Sequence, residues 1–352
     1  MRQIRLNRFS NRDLAIGVAL TLLLLVTAVF SLTVGAVSIP LSTIVKIVLP
    51  HHRGDVKVDE GLYYIVVNLR LARIVLAMVV GASLALAGVV YQGILLNPLA
   101  DPYTLGVSTG AAFGASLAIL FGSGNWTFLG FGILPLAAFV GALFALIVVY
   151  GLGHIDGRLH PTTLILAGII VSTFLSAGIS LLKSLHEESV SAIVFWIMGS
   201  LSGKGWNHCL VMLPYFVVCS IIVFFYSREL DLLALGDVHA HHLGVSVGRV
   251  RIILLSTASL VTAAAVSLTG IIGFVGLVVP HIVRFMVGPR HHKLLFYSFF
   301  AGAILLVGAD TVARTILGQG QELPVGVVTA LIGGPFFCVI LFTRKKQMGI
   351  SS

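Results

Sequence analysis

Apolar residues in this chain run for about 20 positions at a time, and the charged residues fall between the runs. That length crosses the hydrocarbon core of a bilayer as a helix. Ten runs are delimited, at approximately 14–34, 72–96, 105–122, 128–150, 162–182, 207–226, 251–269, 271–287, 294–312 and 325–343. Only a Thr269-Gly270 hinge separates the seventh from the eighth. The pattern predicts an all-α, polytopic membrane protein with about ten transmembrane helices. Arg2, Arg5, Arg8 and Arg12 precede the first run as they would in a signal peptide. The run is longer than a typical h-region and no small-x-small site closes it, so it reads as a retained span.

Composition adds that the chain cannot face water all round. Of 352 residues, 58% are hydrophobic and 10% charged, where a soluble domain carries roughly 25% charged. Basic residues then orient the spans. With the N-terminus inside, the inner side collects Arg2, Arg5, Arg8, Arg12, Arg158, Arg228, Arg249, Arg251, Arg284, Arg290, Lys293, Arg344, Lys345 and Lys346, fourteen of the 22 Lys and Arg. Arg70, Arg73 and Arg314 are exceptions, falling near outer span ends. The net charge of +9 therefore reads as topology, and no soluble basic domain exists to bind nucleic acid.

Candidate chemistry is sparse. Cys209, Cys219 and Cys338 sit in or beside apolar spans and read as small hydrophobes. His239, His241 and His242 cluster in an inner loop without a set of ligands at metal spacing. Asp310 and Arg314 stand four apart on one helix face and are expected to pair. A proton relay needs more intramembrane carboxylates than these, which counts against an ion-coupled secondary transporter. His281 and Arg284 lack a converging nucleophile, which counts against a membrane-embedded enzyme. The segment Gly199–Gly205, GSLSGKG, is not a Walker A sequence, having neither its four-residue gap nor the Ser/Thr after Lys. Any ATPase must be a separate polypeptide, and the only inner connection long enough to meet one is 228–250. Leu232, Leu233, Leu235, His239 and Leu243 make that connection mildly amphipathic, with breaks at Gly236 and Gly244.

Five blocks carry a family resemblance: LRLAR at 69–73, GVVYQGILLNPLADPYTLGVSTGAAFGA at 88–115, LALGDVHAHHLGV at 233–245, GIIGFVGLVVPHIVR at 270–284 and ELPVGVVTALIGGPFF at 322–337. In this order, within ten spans, they resemble the FecCD/BtuC family, permeases of type II ABC importers. The resemblance implies a BtuC-like homodimer around a central path. Two ATP-binding subunits would dock inside and a periplasmic or lipid-anchored substrate-binding protein outside. It implies ATPase coupling through Leu233, Leu235, Gly236, Asp237, Ala240, Leu243 and Gly244. It implies binding-protein docking through Arg70, Arg73 and Arg314, and a cytoplasmic gate at Asn97, Leu99, Pro161 and Thr162. No cofactor is expected in this chain, since ATP and Mg would belong to the partner subunit.

The expectation is one permease domain over 1–352 in a bacterial or archaeal cytoplasmic membrane. Both tails, 1–13 and 344–352, are expected in the cytoplasm. Ferric siderophore is the first reading of the cargo, with haem, cobalamin or molybdate as alternatives on the same machinery.

Overall fold

A computed structural model describes residues 11–35, 37–48, 59–121, 127–128, 131–155, 158–317 and 320–347. Arg2, Arg5, Arg8 and the last five residues of the C-terminal tail lie outside the described residues. The chain begins with α1 (Asn11–Thr33) and a short α2 (Leu41–Val48). α3 (Glu60–Tyr63) runs without interruption through a π-helical stretch, Tyr64–Leu71, into α4 (Ala72–Ile94). Then follow α5 (Val107–Leu120), α6 (Ile133–Gly153), α7 (Pro161–Leu185), α8 (Val190–Ile197) and α9 (Trp206–Phe225). The remainder is α10 (Ser227–Leu233), α11 (Asp237–His242), α12 (Val247–Thr269), α13 (Val275–Val287), α14 (His291–Ala313) and α15 (Val325–Gln347). Strand pairing among the described residues is confined to two hairpins of two-residue strands, at 127–132 and 154–159.

Among the described residues, seven helical segments are long and apolar enough to cross a membrane, and three shorter apolar helices, Val107–Leu120, Val275–Val287 and Val325–Ile340, join them. Each of the ten expected runs falls on one of these. Two features were not expected. The second span starts at Glu60 instead of 72, because Asp59 caps a fresh N-terminus by accepting from the Gly61 N–H at 3.1 Å. An extra apolar helix, α8, lies between the fifth and sixth runs, and its eight residues are too few to cross a bilayer.

Almost every side chain of α4 is buried, and α9, α12, α13 and α14 pack around it. Burying apolar surface gains little in lipid, so such a helix is held by close van der Waals approach, which requires small residues. Gly81 and Gly302 face one another where α4 crosses α14. A Cβ on either would run into the other's carbonyl oxygen. Between α4 and α13, a Cβ on Gly88 would run into the Gly276 carbonyl, and one on Gly276 would meet Pro102 and the Leu84 carbonyl. The register of α4 and α14 is antiparallel along their whole length: Arg73 faces Asp310, Gly81 faces Gly302, and Gly93 faces His291. By contrast α1, α6, α7 and α9 are mostly exposed, with Leu25, Ile147, Phe174 and Ile221 turned outward, as lipid-facing helices should be.

The hinge expected at Thr269-Gly270 is a real break. Gly270 has φ +72° and Phe274 φ +67°, so 270–274 cannot continue either helix. Its backbone is taken up by the core instead: the Ser200 N–H donates to the Thr269 carbonyl at 2.7 Å and the Tyr103 hydroxyl donates to that of Ile272 at 2.7 Å.

Candidate functional site

Two polar centres lie at opposite ends of α4. From Arg73 to Gly93 the helix rises about 30 Å, the thickness of a hydrocarbon core.

At the Gly93 end, α10 and α11 form a two-helix module joined and terminated by glycines. Gly236 and Gly244 have φ of +96° and +89°, which a side chain would strain. The module is fixed from beneath by three buried apolar residues, Leu230, Leu233 and Ala240. Leu230 packs at Gly93, and the Asp231 carboxylate accepts from the backbone N–H of His291 at 2.8 Å while its oxygen lies 2.7 Å from the His291 Nδ1. These contacts pin α10 to the ends of α4 and α14.

α11 is held by Arg251 of α12, only 3% exposed. Its guanidinium forks onto the Asp237 carboxylate at 2.7 and 3.1 Å and also donates to the Leu159 carbonyl at 2.7 Å. A planar fork on a carboxylate fixes orientation as well as distance. Above these anchors, three apolar side chains of the module are turned to solvent, Leu235 59% exposed, Val238 67% and Leu243 59%, among exposed polar His239, His241 and His242.

The sequence-derived coupling set therefore divides. Leu233 and Ala240 face inward, Gly236 and Gly244 shape the backbone, Asp237 anchors, and Leu235 and Leu243 form the surface. Val238 was missed, although it stands three residues after Leu235. Arg251 was missed too, because only the fold brings it to Asp237.

At the Arg73 end, the three arginines expected to stand as docking charges are turned inward. Arg73 is 8% exposed and Asp310 1%. Arg73 binds both Asp310 oxygens at 2.8–3.1 Å and both Glu322 oxygens at 2.8 and 3.0 Å. Arg70 donates to the Leu32 carbonyl at 2.7 Å and to that of Val37. Arg314 donates to the backbone and hydroxyl oxygens of Ser31. The Asp310 pairing expected with Arg314 thus goes to Arg73, which approaches from another helix with a better-aligned fork. Together the three arginines tie α4, α14 and the segment just before α15 to the last turn of α1 and the residues that follow it.

The gate candidates are placed as follows. Asn97 accepts from the Leu99 N–H at 2.9 Å and turns the chain after α4, where Leu96 has φ +49°. Leu99 is exposed. Pro161 occupies the first turn of α7, where its missing N–H costs nothing, and Thr162 is exposed beside it. The loop between α4 and α5 continues into the protein. The Asp101 carboxylate accepts from the Tyr103 N–H at 2.8 Å, and burial pushes this carboxyl up to about 6. Among the described residues no group of three His, Cys, Asp or Glu is placed to hold a metal ion. Cys209 and Cys219 are buried as expected, while Cys338 is exposed.

The model of the FecCD transport family matches residues 23–343, a span that includes both polar centres. The chain belongs to this family. It is 46% identical over 290 residues to the cobalamin import system permease protein BtuC of Halobacterium salinarum, covering 82% of this chain and 76% of the relative. It is 35% identical to the hemin transport system permease protein HmuU of Yersinia pestis, covering 93% and 95%. Among solved structures, an inward-facing ABC transporter proposed to be of the metal-chelate type superposes with a TM-score of 0.79 at 36% identity, covering 94% of this chain and 99% of that one. Family and fold agree with the ten apolar helices: this is a multi-pass protein of the cell membrane.

Proposed function

We propose that this chain is the permease subunit of an ATP-driven importer for metal chelates, and that a partner ATPase engages it on the α10–α11 module. One observation carries the reading: Leu235, Val238 and Leu243 are presented to solvent on a module whose underside is bonded to α4, α12 and α14. An apolar patch held rigidly on long helices can pass a displacement of its surface to the path. A loose loop could not.

In this reading two copies enclose the path, the α10–α11 face is cytoplasmic, and ATP and Mg are bound and hydrolysed by the partner. The substrate-binding protein meets the Arg73 face. There Arg70, Arg73 and Arg314 shape the docking surface by fixing its backbone, while exposed neighbours such as Glu60 and Gln321 meet the partner. Alternating access follows. Closure of the ATPase pair shifts the module and opens the path outward, and hydrolysis resets it through the turns at Asn97–Leu99 and Pro161–Thr162.

The deciding experiment reconstitutes the permease with its ATPase and compares wild type with L243E and V238E. The expected result is normal assembly of the permease, loss of transport and loss of the ATPase response to the binding protein. Uptake at the wild-type rate in both variants overturns the assignment of the surface. Uptake that resists vanadate points to the ion-coupled alternative.

Ferric siderophore is the cargo we infer. Cobalamin is the second reading, favoured by the 46% identity to the Halobacterium permease. Binding of each to the cognate substrate-binding protein separates the two.

A further inference from the structure

We propose that a cavity between α11 and the start of α12 receives an acidic side chain of the partner ATPase. The proposal rests on the reading that the ATPase engages the α10–α11 module, and it adds the chemistry of one contact. The cavity has a volume of about 630 Å³ and is closed on a third side by Leu159 and His160, which precede α7. Val238, one of the three exposed apolar residues of the module, forms part of its wall. A partner seated over Val238 therefore meets the cavity as well.

The lining holds unpaired donors and lacks a free charged acceptor. α12 runs for 23 residues and no side chain caps its N-terminus. The first N–H groups of a helix find no acceptor within it, and among the described residues those of Gly248 and Arg249 find none elsewhere. Gly248 keeps the approach to them open, since a Cβ there would meet nothing within 4 Å. The Arg249 side chain also lines the cavity, is exposed, and pairs with no carboxylate among the described residues. Arg251, 3% exposed, forms another part of the wall, and its Nε–H has no acceptor among the described residues. His160, His241 and His242 add ring N–H donors. Asp237 is the only carboxylate on the lining among the described residues, and each of its oxygens already accepts from Arg251. A carboxylate brought in from outside satisfies the start of α12 and the Arg249 guanidinium together. A lone inorganic anion fits the space poorly. The volume equals about twenty water molecules at roughly 30 Å³ each, which side chains of a protein loop fill and a single ion does not.

The test uses the permease assembled with its ATPase. R249K puts a primary amine at the cavity, and a water-soluble carbodiimide joins an amine to a carboxylate that touches it, taking up the released water as a urea. The expected product is an amide between position 249 of R249K and an Asp or Glu of the ATPase, identified by mass spectrometry of the linked peptides. A photoreactive phenylalanine analogue replacing Val238 reports separately whether the ATPase is seated on the module. Capture of the ATPase at 238 without the amide at 249 overturns this proposal and leaves the seating intact. Capture at neither position overturns both. An amide from 249 to a carboxylate of the permease itself, in the same copy or the second one, also overturns it. As an independent measure, R249Q is expected to weaken binding of the ATPase about tenfold at low salt and to flatten its salt dependence. Wild-type affinity and salt dependence in R249Q would overturn the proposal as well.

Discussion

Arg73 on α4 and Asp310 on α14 form a buried, forked ion pair with nitrogen–oxygen distances of 2.8–3.1 Å, reaching from one long helix to another. The same guanidinium holds Glu322 just before α15, so one residue joins three spans at a single level. Removing one partner of a buried pair leaves the other charged and unmatched, which costs about 3–5 kcal/mol. We expect D310N to lower thermal stability in detergent by that order, and R73K to be harmful as well, since an ammonium cannot reproduce the fork. In R73M/D310N the loss is expected to be smaller than the sum of the single losses. Strictly additive losses would show that the pair is not coupled.

The Arg251–Asp237 contact secures the proposed coupling surface. Asp237 is half exposed while Arg251 is buried; Asn keeps an oxygen for the guanidinium, which also holds the Leu159 carbonyl, so the effect of D237N should be on position. D237N is expected to leave the melting temperature within a few degrees of wild type. In reconstituted vesicles it should raise the ATP hydrolysed per substrate moved. Unchanged coupling would limit Asp237 to a local role in α11.

Gly81 and Gly302 set the spacing of α4 and α14. A side chain at either position meets a carbonyl of the facing helix and must push the helices apart. G81L and G302L are each expected to destabilise by at least the 1–3 kcal/mol typical of an overpacked core. Cysteine pairs across these helices would report the spacing. Wild-type stability in both variants would mean that the crossing is looser than described.

Asp101 makes stability depend on pH. Burial raises its carboxyl from 3.8 to about 6, with the Tyr103 N–H pulling the other way. A folded pKa above the unfolded one means that the folded state binds the proton more tightly between those values. Its contribution is therefore fully present below 3.8 and is lost as pH rises through about 6. Asn keeps the acceptor for the Tyr103 N–H and never ionises. D101N is expected to melt a few degrees above wild type at neutral pH and level with it near the lower value. A gap independent of pH would exclude ionisation of Asp101 as the cause.

Much of this protein was legible in one dimension. The ten spans, the break at Thr269-Gly270 and the glycine-punctuated 228–250 segment are local properties: run length, backbone freedom at glycine, and a shift from apolar to polar residues. The start of the second span was misplaced because Tyr64–Leu71 mixes polar Asn68 and Arg70 into a helix that the core tolerates. α8 escaped because eight apolar residues carry no membrane-length signal. For the site, Leu235 and Leu243 could be named from the pattern, but the pattern placed Leu233 and Ala240 with them, and only packing against α4 and α14 separates anchors from surface.

The arginines show where sequence stops. Their types and order determined that positive charge would gather at an outer span end. Whether those charges face a partner or their own chain depends on which oxygens lie within about 3 Å. Ser31, Leu32, Val37, Asp310 and Glu322 come from segments up to 283 residues away. An apolar run is a sum over neighbours along the chain, so sequence alone determined the membrane spans and the module's turns. An ion pair is a meeting of distant residues, and the tertiary structure decided which carboxylate each guanidinium would hold.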